Sequence, residues 1–238
     1  MQLLVSVSDA AEVRAAVEGG ADIIDAKNPS MGALGAVRPD VLSEIRHAVD
    51  SSRLVTAAMG DADAANTVEE LARELVARGA RLVKVGFAGV ADPARVEEII
   101  DRLAYVCTSV NEASGVVAVT YADPVAAGCI DAHGLLPIAA RSGATGVLVD
   151  TADKCGPGLL GLWSMLRLES WVSEAHAHGL MAAVAGKLRL DDLGVVADAG
   201  ADVAGVRGAA CVDGRVGRIS SERVRALAAR VALQQSTT

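Results

Sequence analysis

Two lysines set into apolar stretches carry the spacing best suited to chemistry in this sequence. Lys27 follows Asp25 by two positions in Asp22-Ile23-Ile24-Asp25-Ala26-Lys27, and Lys84 interrupts Leu82-Val83-Lys84-Val85-Gly86. Side chains on a strand alternate faces, so Ile23, Asp25 and Lys27 share one face. Burying either charge alone is costly or forces its pKa to shift, so the pair is expected to face a polar cleft. A second cation nearby lowers an amine's pKa and helps keep it nucleophilic near neutral pH. A free lysine amine can attack a carbonyl, and the resulting iminium acidifies the adjacent carbon. The same residues also fit plain ion pairs, Asp25 with Lys27 at a strand end and Lys84 with a helix carboxylate.

More polar residues fall where other apolar segments end: Ser6 and Ser8, Gly86, Thr120, Asp150, Lys187 and Arg207, with Lys154 just beyond. Four lysines and an arginine would converge on one rim, in a chain with only 22 Lys plus Arg. Lys187 and Arg207-Gly208 stand where loops after the seventh and eighth strands commonly bind phosphate. Ser6, Gly86, Lys187, Arg207 and Gly208 are therefore the candidate substrate- and phosphate-binding residues. Solvated loop charge is the competing reading for Lys187.

The elements that must position these residues alternate. Apolar segments at Gln2–Ser8, Asp22–Lys27, Leu54–Met59, Leu82–Gly86, Val116–Thr120, Val147–Asp150, Leu180–Val184 and Val203–Val206 read as strands. Helical patterns separate them, one opened by Asp9 with Glu12 as a capping box, another by Pro93 in its first turn. A helix capped around Thr67 precedes the fourth strand, and a long apolar helix spans Leu159–His178. The helix-end signal Gly-Ala recurs at Gly20, Gly79, Gly143 and Gly200, at intervals of roughly sixty residues, a repeating α/β plan. Eight units in one chain point to a single-domain (β/α)8 barrel over residues 1–233, with 234–238 as a disordered C-terminal tail. A doubly wound open sheet is the alternative.

Composition narrows the partners. The chain has 238 residues, 52% of them hydrophobic, so it can bury a full core. Five scattered aromatics offer no stacking platform for single-stranded nucleic acid, and the net charge of −8 argues against duplex binding. A local basic pocket for small anions is compatible with that charge. Cys107, Cys129, Cys155 and Cys211 show no C-x-x-C pair. Four scattered histidines give no metal site, and no cofactor is expected. The N-terminus lacks a basic signal-peptide region and no apolar run approaches a membrane span, so a cytoplasmic protein is expected. Gly156-Pro157-Gly158-Leu159-Leu160-Gly161 spells G-x-G-x-x-G, but Pro157 removes a phosphate-facing N–H and the turn starts well after the strand. A lid or phosphate loop is the better reading. Trp163 and Trp171 both fall in the long apolar helix, whose surplus of Leu and Met predicts a homo-oligomer interface there.

Several strings together resemble the (5-formylfuran-3-yl)methyl phosphate synthase family. They are Leu3-Leu4-Val5-Ser6-Val7, Asp25-Ala26-Lys27-Asn28-Pro29, Gly32-Ala33-Leu34-Gly35, Val83-Lys84-Val85-Gly86, Asp150-Thr151-Ala152-Asp153-Lys154 and Gly205-Val206-Arg207-Gly208-Ala209. The resemblance implies a (β/α)8 barrel, a lyase that condenses two glyceraldehyde 3-phosphate molecules to a furan aldehyde phosphate with release of phosphate and water. It also implies that Lys27 forms the Schiff base, that Lys84 transfers protons, and that Asp25, Asp150 and Lys154 belong to the active site. Two rival readings stay open: another Schiff-base enzyme of the class I aldolase type, and a non-catalytic phosphate-binding barrel.

Overall fold

The computed structural model describes residues 1–62 and 68–235. Eight parallel strands close into a barrel in sequence order: β1 (Gln2–Val7), β2 (Ile23–Ala26), β3 (Leu54–Asp61), β4 (Leu82–Gly86), β5 (Gly115–Tyr121), β6 (Gly146–Asp150), β7 (Met181–Val184) and β8 (Val203–Val206). The helices between them are α1 (Ala10–Glu18), α2 (Pro39–Ala48), α3 (Val68–Ala77), α4 (Pro93–Val110), α5 (Pro124–Ala127) and α6 (Ala132–Arg141). They continue as α7 (Leu159–Leu162), α8 (Met165–Ala177), α9 (Asp192–Asp198) and α10 (Ser221–Gln235). The closed sheet agrees with the barrel expectation and rules out the open sheet. No helix among the described residues is long and apolar enough to cross a membrane.

Alternation along each strand divides the core in two. Val5, Ile24, Val83, Val116 and Val147 point outward and join the helices in one buried layer. Leu4, Ile23, Ala58, Val117, Val119, Leu148, Ala183 and Val203 point inward and fill the barrel. Because both faces of each strand are covered, the strands read as near-continuous apolar runs. The inward rows turn polar toward the C-terminal ends, where Ser6, Asp25, Thr56, Lys84 and Asp150 are all buried.

Three local readings change. The expected helix Leu159–His178 is two helices, because Trp163 adopts an extended conformation (ψ 136°) and Ser164 caps α8 by accepting from Arg167 N. Its tryptophans face inward: Trp163 and Trp171 are buried and stack edge-on at 6.2 Å. Each indole N–H donates to a carbonyl, of Ala122 at 3.2 Å and of Ala132 at 3.1 Å. They therefore cannot anchor a subunit interface, which corrects their part in that expectation; the apolar surface left on this stretch is Leu162, Met165 and Leu166. The capping box is also displaced. Asp9 accepts from Glu12 N at 3.2 Å, but Glu12 Oε2 reaches back to Ser8 N at 2.8 Å instead of Asp9 N. The expected cap at Thr67 and residues 236–238 of the expected tail lie outside the described residues, whereas Gln234 and Gln235 continue α10.

Candidate active site

Register alone brings three polar residues into a row. Ser6 of β1 pairs with Asp25 of β2, and Asp25 pairs with Thr56 of β3. All three point into the barrel, so Asp25 is flanked by two hydroxyls. Ser6 Oγ donates to Asp25 Oδ2 at 2.8 Å, and Thr56 Oγ1 donates to Oδ1 at 2.7 Å. Lys84 of β4 completes the set, its Nζ 2.6 Å from Asp25 Oδ1. Asp25 is fully buried and accepts from three donors. A buried carboxylate without such partners would be strongly destabilising.

A second carboxylate serves a second pair of amines. Asp150, the last residue of β6, accepts from Thr151 N at 2.7 Å and from Lys154 Nζ at 2.6 Å, both through Oδ1. Its other oxygen, Oδ2, lies 3.9 Å from Nζ of Lys27, which stands one residue past β2. Burial pushes the Asp150 carboxyl up, but the ammonium of Lys154 and then the amine of Lys27 outweigh it and hold it below the usual range. Lys27 moves the other way. Burial, with help from the cations of Lys84 and Lys154, outweighs the pull of Asp150 and lowers its pKa to about 8. Among the three lysines of the cluster, Lys84 and Lys154 each sit 2.6 Å from a carboxylate oxygen and Lys27 does not. Lys27 thus combines the loosest ion pairing with a depressed pKa, the two properties an amine nucleophile needs.

These side chains border a cavity of about 450 Å³ at the C-terminal mouth of the barrel. Lys27, Lys84, Asp150 and Lys154 line it together with residues of the loops after β7 and β8. Of the residues expected to bind substrate or phosphate, Ser6, Lys187, Arg207 and Gly208 line the cavity. Lys187 holds a left-handed backbone (φ 58°), and its Nζ donates to the carbonyl of Gly156, tying the β7 loop to the Gly156–Gly161 segment. That segment is a short connection: Gly158 caps α7, and Leu159 N donates to Gly186 O.

Two expectations meet a different arrangement. Arg207 lines the cavity, yet its guanidinium is turned to the protein. Nη1 donates to Glu12 Oε2 at 2.5 Å and to Ser6 O at 3.0 Å. Nη2 donates to Glu12 Oε1 at 3.2 Å and to Gly217 O at 3.0 Å, and Nε donates to Arg215 O at 2.8 Å. All five N–H donors of a guanidinium are engaged, so this side chain is structural in this arrangement and has no donor left for a phosphate. Gly86 does not line the cavity. A Cβ there would fall 2.1 Å from Asp61 Oδ1 and 2.7 Å from the Tyr121 hydroxyl, which itself donates to Asp61 at 2.6 Å. Glycine at this position makes room for a half-buried phenol–carboxylate bond, and burial together with the Asp61 charge pushes the Tyr121 phenol up.

Sequence reasoning passed over Thr56, Glu12, Asp61 and Tyr121. Thr56 had a usable signal, a hydroxyl inside an otherwise apolar strand. Glu12 was legible only as a helix-capping residue, because its buried partner lies 195 positions away.

Residues 3–228 match the family model described as 4-HFC-P synthase. The chain belongs to this family. A relative from Methanothermobacter thermautotrophicus, named (5-formylfuran-3-yl)methyl phosphate synthase, is 39% identical over 95% of this chain and 97% of its own length. Relatives of the same name from Methanococcus maripaludis and Methanopyrus kandleri are 38% and 39% identical, each over 97% of their length and over 94% and 95% of this chain. Among solved structures, KGPDC from Streptococcus mutans superposes with a TM-score of 0.68 at 15% identity, covering 98% of both chains. A 3-hexulose-6-phosphate synthase superposes with a TM-score of 0.65 at 22% identity, covering 95% of this chain and 99% of its own. At such identities these two likenesses speak for the barrel fold alone.

Proposed function

We propose that this chain condenses two molecules of glyceraldehyde 3-phosphate to (5-formylfuran-3-yl)methyl phosphate, releasing phosphate and water, through a Schiff base on Lys27. The observation that carries the proposal is the asymmetry among the three amines. Lys84 and Lys154 are locked to carboxylates, while Lys27, with its pKa lowered to about 8, keeps a workable share of free amine near neutral pH. Membership of the synthase family supports the product assignment.

In this reading the Lys27 amine adds to a triose phosphate carbonyl and loses water to give an iminium, an electron sink for the neighbouring carbon. Asp150 Oδ2, the carboxylate oxygen facing Lys27, takes and returns protons during addition and dehydration. The Lys84–Asp25 pair handles the carbon proton that must leave to form the enamine, with Ser6 and Thr56 fixing the carboxylate's orientation. The enamine then attacks the second triose; ring closure onto the lysine-bound carbon expels the Lys27 amine, and loss of phosphate and a second water completes the furan. Lys154 and Lys187 bring positive charge to the same cavity, which two phosphorylated substrates require.

The test is incubation of the protein with glyceraldehyde 3-phosphate alone, followed by mass spectrometry. A furan aldehyde phosphate is expected, together with free phosphate. A sugar phosphate in place of the furan would turn the assignment to an aldolase. Failure of borohydride to trap triose on Lys27 would remove covalent catalysis altogether.

A further inference from the structure

Arg207 is engaged by the protein, so the anion-binding role on the β8 side of the mouth falls to another residue, and the loop that Arg207 holds presents one. The chain leaves β8, passes a single 3₁₀ turn at Gly208–Ala210, and doubles back so that Cys211 pairs antiparallel with Ile219. Val212 N donates to Arg218 O at 2.9 Å and Gly217 N to Gly214 O at 3.0 Å, closing a compact loop. Asp213 and Gly214 both take left-handed backbone conformations (φ 59° and 83°) to make the reversal. Beneath it, Arg207 grips the carbonyls of Arg215 and Gly217 and is itself held by the buried carboxylate of Glu12. Arg215 therefore rides on a fixed backbone.

Arg215 lines the mouth beside Gly208, where an added Cβ would fall 3.7 Å from the Cβ of Arg215. The guanidinium makes one hydrogen bond, from Nη2 to Gly32 O at 2.8 Å, in the loop that follows β2 and Lys27. It has no carboxylate partner among the described residues, in contrast to Arg207, Arg218 and Lys154. An arginine with several open donors and no counter-ion, half-buried at the mouth of a cationic cavity, is arranged to receive an anion with two oxygens side by side.

We propose that Arg215 is a phosphate-binding residue of this site, held by the buried Arg207–Glu12 pair beneath it. Its bond to Gly32 O also links the β8 loop to the loop carrying Lys27, so anion capture and the position of the reacting lysine share one contact. The identity of the phosphorylated ligand rests on the function proposed above; the anion site itself does not.

The test uses the full chain and inorganic phosphate. Isothermal titration calorimetry of wild type, Arg215→Ala and Arg215→Lys reads phosphate affinity directly, and thermal melts check folding. Arg215→Ala is expected to bind phosphate roughly 10- to 100-fold more weakly, the usual effect of removing a charge-assisted hydrogen bond. Its melting temperature should stay near that of wild type, because this side chain makes a single hydrogen bond among the described residues. Arg215→Lys should recover part of the affinity, since it restores charge without the fork. In steady state, KM for glyceraldehyde 3-phosphate should rise far more than kcat falls. Equal phosphate affinity in Arg215→Ala and wild type would overturn the proposal, and so would a wild type that binds no phosphate at millimolar concentration. Phosphate binding that depends on Arg215 in a protein making no furan would uphold it and discard only the reaction assigned above.

Discussion

The Nζ of Lys84 sits 2.6 Å from Asp25 Oδ1, an ion pair that also carries the hydroxyls of Ser6 and Thr56 and is almost wholly buried in the wall of the cavity. Lys27 borders the same cavity but stands 3.9 Å from Asp150. The two lysines that look alike in the sequence are therefore unlike in chemistry: one is fixed to its counter-ion and the other is left available to a carbonyl.

Lys27→Arg keeps the charge but cannot form an imine. Turnover should be lost while circular dichroism and melting remain close to wild type. Near-normal activity in a folded variant would eliminate Lys27 as the nucleophile.

Lys84→Met should separate capture from proton transfer. Borohydride is expected to trap triose on Lys27 in this variant while product formation stops. If trapping disappears with Lys27 still accessible to an amine-modifying reagent, Lys84 is the nucleophile or its essential activator.

The pH dependence has a defined sign. Protonated Lys27 cannot attack, so kcat/KM should rise with pH through about 8 as the ammonium loses its proton. Asp150 raises that pKa, so Asp150→Asn should move the midpoint to lower pH. The freed cation of Lys154 adds to the shift in the same direction. A pH–rate profile whose midpoint stays put or moves upward in Asp150→Asn contradicts the assignment.

Arg207→Ala should act on stability more than on substrate affinity. The Arg207 side chain is 8% exposed and that of Glu12 2%, so deleting the cation strands a buried carboxylate. Breaking such a pair typically costs about 3–5 kcal/mol, readable as a lower urea midpoint with an unchanged slope. A variant as stable as wild type would mean that Glu12 finds compensation in Ser8 and Arg218, which already contact it.

Gly86→Ala should destabilise the protein by about 1–3 kcal/mol, the usual cost of overpacking. The new methyl meets Asp61 Oδ1 and the Tyr121 hydroxyl at distances no real Cβ tolerates. Combining it with Tyr121→Phe should cost less than the two changes separately, because they act on one contact. Additive losses would place the strain elsewhere.

The sequence by itself determined the barrel and the rim. Alternation of apolar segments with capped helices is a local property, written in residues a few positions apart, and it predicted all eight strands to within a residue or two. The period of two along a strand likewise put Asp25 on the inward face of β2, in a row that continues to Lys27, and the ends of β4 and β6 delivered Lys84 and Asp150. Partners were decided only by tertiary structure. Asp25 could have paired with Lys27, its neighbour on the same strand face, but register set it between Ser6 and Thr56 and within reach of Lys84 across 59 positions. Arg207 stood in the expected phosphate loop, yet a glutamate 195 residues earlier and three carbonyls claimed its donors. Trp163 and Trp171 looked like surface anchors until the loop after β5 and the first residue of α6 supplied carbonyls beside them. A charged or aromatic side chain takes whichever partner the closed barrel brings within about 3 Å, the reach of a hydrogen bond. That choice is made by register and loop path, which the spacing of residues along the chain does not encode.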